Sequence, residues 1–244
     1  MNEPRGGETR PSAFRKRERR ALVARVVRVA ELWRYPVKSM RGTPLERATV
    51  RGGGIEGDRL VQVLRPAGRV YTSRTHPGLL GLQATLDGDG PLIDGHPWNG
   101  PDAQALVRAA LGTAEFELVA YDGLGPQRFD VLPLTVVTDG AIGAFGHDRR
   151  RLRSNIVLSG VAGLGERGFV GGRLVIGGVQ IEVVKPRGRC VMTTFDPDTL
   201  EQDPGVLRHI VQDLDNMLAL DCIALTDGEI AVGDEVRFEP GRAE

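Results

Sequence analysis

Cys190 is the residue whose surroundings most favour chemistry. Three cationic residues precede it within five positions, and two adjacent threonines follow shortly after it: Lys185, Arg187, Arg189, Thr193 and Thr194. Positive charge next to a thiol favours the thiolate, which is the form that attacks electrophiles and binds soft metals. The sequence therefore predicts a nucleophile or a metal ligand. The alternative is an inert thiol whose neighbouring arginines point into solvent.

The second cysteine, Cys222, has the opposite surroundings. It lies in an apolar stretch at residues 219–225 that contains no basic residue, so we expect it to be packed in the core. Two cysteines allow one disulfide at most, and nothing in the sequence requires it. The chain is therefore expected to be cytoplasmic, where thiols stay reduced.

The charge distribution argues against binding of nucleic acid by the whole chain. The formal net charge is zero, and residues 1–20 hold seven basic and three acidic residues, which leaves 25 basic and 29 acidic residues in the remainder. We interpret residues 1–20 as a disordered basic tail. The run at residues 149–151 is interpreted as a solvated basic turn, because no aromatic residues alternate with its arginines.

No apolar run reaches the ~18 residues that a membrane-spanning helix needs. Neither nucleic acid nor membrane is therefore expected as a partner.

The pattern of elements predicts a mainly β fold with a few short helices. The 33 glycines and 15 prolines indicate many turns. Gly177-Gly178 separates two apolar runs and predicts a hairpin. Asp203-Pro204 predicts a helix start, since a capping side chain is followed by proline at the first helical position. A second helix is predicted from Asp102 to about Leu111, and about a dozen short strands fill the remainder.

Three groups of motifs carry a resemblance to one known family. The first is Tyr-Pro-Val-Lys-Ser-Met-Arg-Gly at residues 35–42. The second combines Gly-Asp-Arg at 57–59 with Thr-Ser-Arg-Thr-His-Pro-Gly-Leu at 72–79. The third combines Arg-Ser-Asn-Ile-Val at 153–157 with Arg-Cys-Val-Met-Thr-Thr-Phe-Asp-Pro-Asp-Thr at 189–199.

From about residue 24 to 240 the chain thus resembles the family built from an N-terminal MOSC β-barrel domain followed by a MOSC domain. That family includes the mitochondrial amidoxime-reducing component and related bacterial molybdenum-cofactor reductases. The resemblance implies a MOSC N-terminal β-barrel domain at residues 21–121 packed on a MOSC β-barrel domain at 122–240. At residues 166–169 the family has an acidic pair and a tryptophan, whereas this chain has one glutamate and a phenylalanine.

The resemblance also implies a molybdenum cofactor, with Cys190 as its metal ligand and as the catalytic residue. A thiolate is a soft ligand that suits a metal already held by sulfur. Arginine and lysine suit the phosphate of the cofactor. The residues implied to bind the cofactor are Lys38, Ser39, Arg74, Thr138, Asp139, Arg153, Asn155, Arg189 and Cys190. Lys38 and Arg74 could instead be exposed strand charges.

The implied function is reduction of small N-hydroxylated or N-oxide substrates. The chain has no convincing dinucleotide motif and too few cysteines for an iron–sulfur cluster. Electrons are therefore expected from a separate flavin or iron–sulfur donor. One alternative is a carrier of molybdenum cofactor, or of sulfur as a Cys190 persulfide. Related sulfurases mobilise that sulfur with pyridoxal phosphate in a large domain for which this chain is too short. A third alternative is a scaffold that has lost its cofactor and binds a protein partner.

Overall fold

The computed structural model describes residues 26–66, 68–112, 115–124 and 127–241. Within these ranges sixteen β-strands and three α-helices are present, so the prediction of a mainly β fold with a few short helices is confirmed. The basic tail predicted for residues 1–20 lies outside the described residues.

The strands in chain order are β1 (Arg28–Arg34), β2 (Thr43–Leu45), β3 (Arg47–Arg51), β4 (Gly54–Ile55), β5 (Val61–Leu64), β6 (Ala84–Asp87), β7 (Gly90–Ile93), β8 (His96–Pro97), β9 (Glu117–Ala120), β10 (Leu134–Thr138), β11 (Ile156–Ser159), β12 (Arg173–Ile176), β13 (Val179–Gly188), β14 (Met217–Ala224), β15 (Gly228–Ala231) and β16 (Val236–Glu239). The helices are α1 (Pro101–Leu111), α2 (Asp139–Phe145) and α3 (Pro204–Asp213). Short 3₁₀ turns span Pro77–Gly81, Arg149–Leu152, Gly165–Phe169 and Val191–Thr194.

One eight-stranded sheet runs in the order β16-β12-β13-β14-β10-β11-β1-β2. Its neighbours are antiparallel except for the parallel pair β10 and β11. The predicted hairpin at Gly177 joins β12 to β13, and Gly177 has a φ of +57°, a conformation that glycine adopts without steric cost.

Strands β1 and β16, near opposite ends of this sheet, approach each other. The Val29 amide donates to Asp234 O (2.9 Å), and the Val236 amide donates to Val27 O (2.8 Å). The hydrogen bonds where β1 and β16 approach each other do not form a continuous ladder, so the sheet curls but does not close.

The first strands of the chain pack with its C-terminal half. β1 pairs with β11, and β3 pairs with β15. Buried side chains of β1 and β3 share one core cluster with those of β10 to β14. Residues 28–55 therefore complete the C-terminal packing unit, although they precede the division predicted at residue 121.

A second core cluster lies within residues 37–111. It joins Val37 and Val61 to the buried face of α1, which includes Val107 and Leu111. The segment from Tyr35 to Arg41 leaves β1 in the first packing unit and enters the second. Side chains on this segment are therefore placed at the junction of the two cores.

Helices α2 and α3 pack over the sheet in a third cluster that includes Phe145 and Ile210. The start of α3 is as predicted, with Pro204 in the first turn and the Asp203 side chain accepting from the Gly205 amide at 2.8 Å. Helix α2 lies where the sequence showed only a glycine-rich segment. A Cβ on Gly140 would lie 2.3 Å from Val161 O, so glycine permits the close approach of this helix. Among the described residues, no helix combines the length and apolar character needed to cross a membrane.

Candidate functional site

A cleft at the junction of the two packing units brings together most of the predicted site residues. We call it the Cys190 cleft. It is lined by seven of them, which are Lys38, Ser39, Arg74, Arg153, Asn155, Arg189 and Cys190. Lys38 and Ser39 follow β1, whereas Arg189 and Cys190 follow β13. Both halves of the chain therefore contribute side chains to one site, and its volume is about 120 Å³.

Two of these residues hold the left-handed backbone conformation that residues other than glycine rarely adopt. Ser39 has a φ of +72° and Arg153 a φ of +52°. Arg153 ends the Arg149–Leu152 turn, where its amide donates to Arg150 O at 3.2 Å. Such residues cost about 1–3 kcal/mol each and cluster at ligand sites. This strain is consistent with a binding role for both segments.

Cys190 immediately precedes the Val191–Thr194 turn. The backbone amide and the hydroxyl of Thr193 both donate to Cys190 O, at 3.0 and 2.9 Å. One guanidinium nitrogen of Arg189 donates to Leu152 O at 2.8 Å. These contacts fix the backbone on both sides of Cys190, and the residue is partly exposed in the cleft.

The cleft is strongly cationic. Eight basic side chains and one carboxylate line it; the basic residues are Lys38, Arg59, Arg74, Arg128, Arg151, Arg153, Arg187 and Arg189. The carboxylate, Asp130, accepts from Lys38 Nζ at 2.9 Å and from Arg74 at 2.8 Å. Burial raises the pKa of Asp130, but Lys38 and Arg74 outweigh that effect and hold the pKa below its ordinary value. Asp130 therefore stays ionised and neutralises two of the cations.

Two arginines of the cleft have guanidinium groups whose hydrogen-bonding capacity is not fully used within the described residues. The guanidinium of Arg153 has no hydrogen-bond acceptor in the part of the chain that the structure describes, and it stacks on the Tyr35 ring. The Nε and Nη1 atoms of Arg189 are buried and also lack partners there. Desolvation lowers the pKa of Arg153 to about 10 and that of Arg189 to about 9. An anionic ligand would stabilise both charges.

Asn155 lines the cleft, but its side chain is engaged within the protein. Its amide nitrogen donates to Trp33 O (3.3 Å) and to Asp58 Oδ2 (3.2 Å), and its oxygen accepts from the Thr135 amide (3.2 Å). Asp58 is fully buried and also accepts from the Tyr35 amide at 2.6 Å. The Asn155–Asp58 pair fixes the end of β1 against the start of β11. Asn155 therefore holds in place the backbone that forms this part of the cleft wall.

Thr138 and Asp139 do not line the cleft; they lie at the start of α2. The Thr138 hydroxyl donates to Glu166 and accepts from the Ala141 amide, which caps the helix. The Asp139 carboxylate accepts from the amides of Gly160 and Val161 at 2.8 and 3.0 Å. These contacts account for both side chains within the fold.

Sequence reasoning missed the structural role of Glu166. This buried carboxylate accepts from the Thr138 amide and hydroxyl and from the Ala219 amide, each at 2.9 Å. Burial raises its pKa, and these hydrogen bonds oppose the rise. Glu166 thus ties the start of α2 to β14. The only signal in the sequence was its place in the segment that departs from the family pattern.

The interpretation of residues 149–151 as a solvated basic turn is wrong. Arg149 pairs with Glu31, Arg150 with Asp148 and Asp198, and Arg151 with Asp196. The Arg151 side chain is only 9% exposed. Asp148 immediately precedes the run, but Glu31, Asp196 and Asp198 lie on other segments, so sequence order did not reveal those pairs. The run is an ion-paired junction beside the cleft.

Cys222 is fully buried in the first core cluster, as predicted. Burial raises the pKa of its thiol well above the ordinary value. The two cysteines therefore differ as their local sequences indicated, one partly exposed in a cationic cleft and one sequestered in the core.

Comparison with known proteins places these features in a family. The model of the MOSC N-terminal beta barrel domain matches residues 26–121, and the model of the MOSC domain matches residues 142–237. Human mitochondrial amidoxime-reducing component 1 is 26% identical over 238 residues, which cover 74% of this chain and 70% of that protein. Human mitochondrial amidoxime reducing component 2 is 26% identical over 242 residues, with the same coverage.

Among solved structures, the YUAD protein from Bacillus subtilis is similar, with a TM-score of 0.50 and 14% identity. The match covers 89% of this chain and 97% of that one. At this identity the similarity concerns the fold alone.

Proposed function

The chain belongs to the family that joins a MOSC N-terminal beta barrel domain to a MOSC domain, and from this premise we propose that it is a molybdenum-cofactor-dependent reductase. The proposed substrates are small N-hydroxylated compounds or N-oxides, and Cys190 is the proposed metal ligand. The observation that carries the proposal is that Cys190 lines the same cleft as Arg153 and Arg189, whose guanidinium groups are only partly satisfied by hydrogen bonds within the described residues.

The donor set of the cleft fits an anionic cofactor that carries a soft metal. The buried nitrogens of Arg189 need an acceptor, and Arg153 offers a planar fork for phosphate oxygens. The cleft volume of about 120 Å³ is below the roughly 300–1,000 Å³ of most small-molecule sites. We therefore propose that binding of the complete cofactor displaces the Asp130 carboxylate from the two cations that it pairs with. Lys38 and Arg74, once released from Asp130, are the further proposed phosphate ligands.

Each residue has a distinct proposed role. The bound cofactor supplies a redox centre able to accept and deliver two electrons. Cys190 would hold its metal through sulfur, a soft ligand that suits a metal already bound by sulfur. Lys38, Arg74, Arg153 and Arg189 bind and orient its anionic groups, and the backbone of the strained Ser39 holds Lys38 toward the cleft. Asn155 stabilises the backbone that carries these ligands through its hydrogen bonds to Asp58 and Trp33 O.

Reduction of an N–OH group to N–H consumes two electrons and two protons and releases one water. The two cysteines of the sequence are too few to ligate an iron–sulfur cluster, and a separate flavin or iron–sulfur protein is the proposed electron donor. The cationic rim of the Cys190 cleft, which includes the 45%-exposed Arg74, suits an acidic surface on such a donor.

Metal analysis of protein from a host that makes the cofactor tests the proposal. We expect molybdenum and pterin to copurify with wild type and with Cys222→Ala, and molybdenum to be lost from Cys190→Ser. The loaded wild-type protein, given a chemical reductant, should reduce benzamidoxime, and Cys190→Ser should not. Unchanged molybdenum content and activity in Cys190→Ser would contradict the assigned ligand.

Mass spectrometry of the same preparations distinguishes the alternatives. A persulfide on Cys190 in metal-free protein would favour a sulfur carrier. Neither metal nor persulfide in protein from a competent host would favour the scaffold. Bound molybdenum without turnover of any N-oxygenated substrate would favour a cofactor carrier.

A further inference from the structure

A second cavity, larger than the Cys190 cleft, lies on the other side of the Arg151–Arg153 segment. We call it the Trp33 cavity. Its volume is about 300 Å³, at the lower end of the range for small-molecule sites. Neither Cys190 nor Lys38, Arg74 or Arg189 lines it. The proposed function leaves this cavity without a role.

Aromatic and sulfur-containing side chains form much of its wall. Trp33 and Tyr35 come from the end of β1, whereas Met192 and Phe195 come from the segment that follows Cys190. Aromatic rings favour planar ligands, which pack against them edge to face or offset, and methionine sulfur makes favourable contacts with rings. The shape and chemistry of the wall therefore favour a ligand with one planar apolar ring.

The charged groups that line the cavity are all cationic. Four arginines contribute to the wall, and no carboxylate of the described residues does; the arginines are Arg41, Arg150, Arg151 and Arg153. Arg150 is neutralised by Asp148 and Asp198. Arg41 donates its Nε to Leu80 O at 3.1 Å, and its charge helps to lower the pKa of Asp198. A ligand with a negative charge would complement this wall.

Two guanidinium groups of the wall retain unused hydrogen-bonding capacity. Arg151 is only 9% exposed, yet its buried Nε has no partner among the residues described. Arg153 has no acceptor there either, and it lies against the Tyr35 ring. A buried donor without an acceptor, such as the Arg151 Nε, is rare in folded proteins, and an acceptor on a ligand would satisfy it. A carboxylate accepts from guanidinium groups in this way.

We infer that the Trp33 cavity is a binding site for a small aromatic carboxylate. The ring lies among Trp33, Tyr35 and Phe195, and the carboxylate meets Arg151 and Arg153. The inference does not depend on the proposed molybdenum chemistry, because it uses a different cavity and a different ligand.

The two sites share a wall. Arg151, Arg153 and Met192 line both the Trp33 cavity and the Cys190 cleft. A carboxylate that pairs with Arg153 in the cavity reduces the positive charge available to an anion in the cleft. By thermodynamic reciprocity each ligand then weakens the binding of the other by the same factor. The cavity is thus placed to regulate occupancy of the cleft.

Fluorescence of Trp33 tests the site directly. The sequence contains two tryptophans, and Trp98 packs in the second core cluster, so Trp98→Phe leaves Trp33 as the reporter. Benzoate titrated into this cofactor-free variant should change its emission saturably. Benzamidine, with the same ring and the opposite charge, should produce no saturable change. Benzoate should also raise the thermal midpoint of the wild-type protein, because a ligand that binds the folded state stabilises it.

Two variants and a control locate the binding. Thr85→Phe places a ring in the cavity without touching the Cys190 cleft and should abolish the benzoate response. Arg153→Gln should weaken benzoate binding at least about tenfold, as expected for loss of a charge-assisted hydrogen bond. Arg47→Gln removes an arginine that is 69% exposed, pairs with Glu229 and does not line the cavity, and it should leave binding unchanged.

The inference is overturned if benzoate and benzamidine act alike, or if Thr85→Phe, shown to be folded by its thermal transition, retains the benzoate response. Competition with pyrophosphate in the cleft tests the shared wall. Benzoate at saturation should raise the apparent dissociation constant of pyrophosphate, and an unchanged constant contradicts the coupling. Benzoate binding by a protein that takes up no molybdenum would contradict the proposed function alone.

Discussion

The Arg153 guanidinium lies 4.5 Å from the centre of the Tyr35 ring. Tyr35 belongs to the segment that leaves β1, and its hydroxyl donates to Ser154 O at 3.3 Å. The ring therefore supports the cation and also fixes the backbone beside it. A cation–π contact offsets only part of the desolvation of a guanidinium, which agrees with the lowered pKa of Arg153. The N-terminal half of the chain thus positions an unsatisfied charge that the C-terminal half provides.

Replacement of Arg189 by methionine should raise the stability of the ligand-free protein and weaken its binding of anions. Arg189 is an incompletely compensated cation in a desolvated position, so Arg189→Met should stabilise the ligand-free protein by about 1–3 kcal/mol at neutral pH. The same variant should bind pyrophosphate more weakly. Urea unfolding and pyrophosphate titration measure the two effects. Arg173→Met, at an exposed position of β12, is the control and should change stability by less than about 0.5 kcal/mol.

The pH dependence of this difference has a definite sign. The pKa of Arg189 falls from 12.5 to about 9 on folding, so the folded protein disfavours the protonated guanidinium. The cost is fully present below pH 9 and is relieved as pH rises through the folded-state pKa, because the folded state then releases its proton first. The advantage of Arg189→Met over wild type should therefore shrink between pH 8 and pH 10. An advantage that grows over this range would contradict the assignment.

Replacement of Asp130 by asparagine should tighten anion binding in the cleft. Asp130 pairs with Lys38 and Arg74, and the neutral amide would leave both cations available. We expect the pyrophosphate dissociation constant to fall at least about tenfold. Asp227→Asn, which removes an exposed partner of Arg51, should leave it unchanged.

Asp130→Asn should also alter acid stability. The pKa of Asp130 is lowered in the folded protein, so its ion pairs stabilise the fold above the unfolded-state pKa, and that stabilisation is lost as pH falls through the folded-state pKa. Wild type should therefore be more stable than Asp130→Asn at pH 7, and the difference should vanish in acid. A difference that is independent of pH would show that the carboxylate charge is not its source.

The sequence predicted best those features that depend on a few neighbouring residues. The hairpin at Gly177 and the start of α3 at Asp203 follow from local backbone preferences. Four of the eight cations of the cleft were also predicted individually, namely Lys38, Arg74, Arg153 and Arg189. Their partners were not, because Arg74 lies 56 positions from Asp130 and Asn155 lies 97 positions from Asp58. Pairing at such separations is fixed by the tertiary fold and leaves no trace in a single sequence.

Thr138 and Asp139 were predicted to contact a ligand, but they do not line the cleft. The family resemblance implied that both residues contact the cofactor. In the structure they lie at the start of α2, and both side chains hold its first turn. A helix cap and a ligand site use the same residue types, so their local sequence could not distinguish the two roles.

The buried Glu166 should be sensitive to loss of its charge. Its three hydrogen bonds come from Thr138 and Ala219, and all three are donated to the carboxylate. Glu166→Gln places an amide nitrogen against one or more of these donors, so we expect a loss of about 1–3 kcal/mol in the free energy of unfolding. Glu229→Gln, in the exposed pair with Arg47, should cost less than about 0.5 kcal/mol. Equal effects in the two variants would show that the three contacts contribute little.

The two thiols should differ sharply in their reaction with iodoacetamide. Cys190 is partly exposed in a cationic cleft, whereas Cys222 is fully buried and burial raises its pKa. Alkylation proceeds through the thiolate, so the folded protein at pH 8 should gain one adduct, on Cys190, as measured by intact mass and peptide mapping. Cys190→Ser should gain none, and Cys222→Ala should gain one at the wild-type rate. Modification of Cys222 at a comparable rate in the folded protein would contradict the division between a reactive and a sequestered thiol, because the core around β14 would then have to open as readily as the cleft.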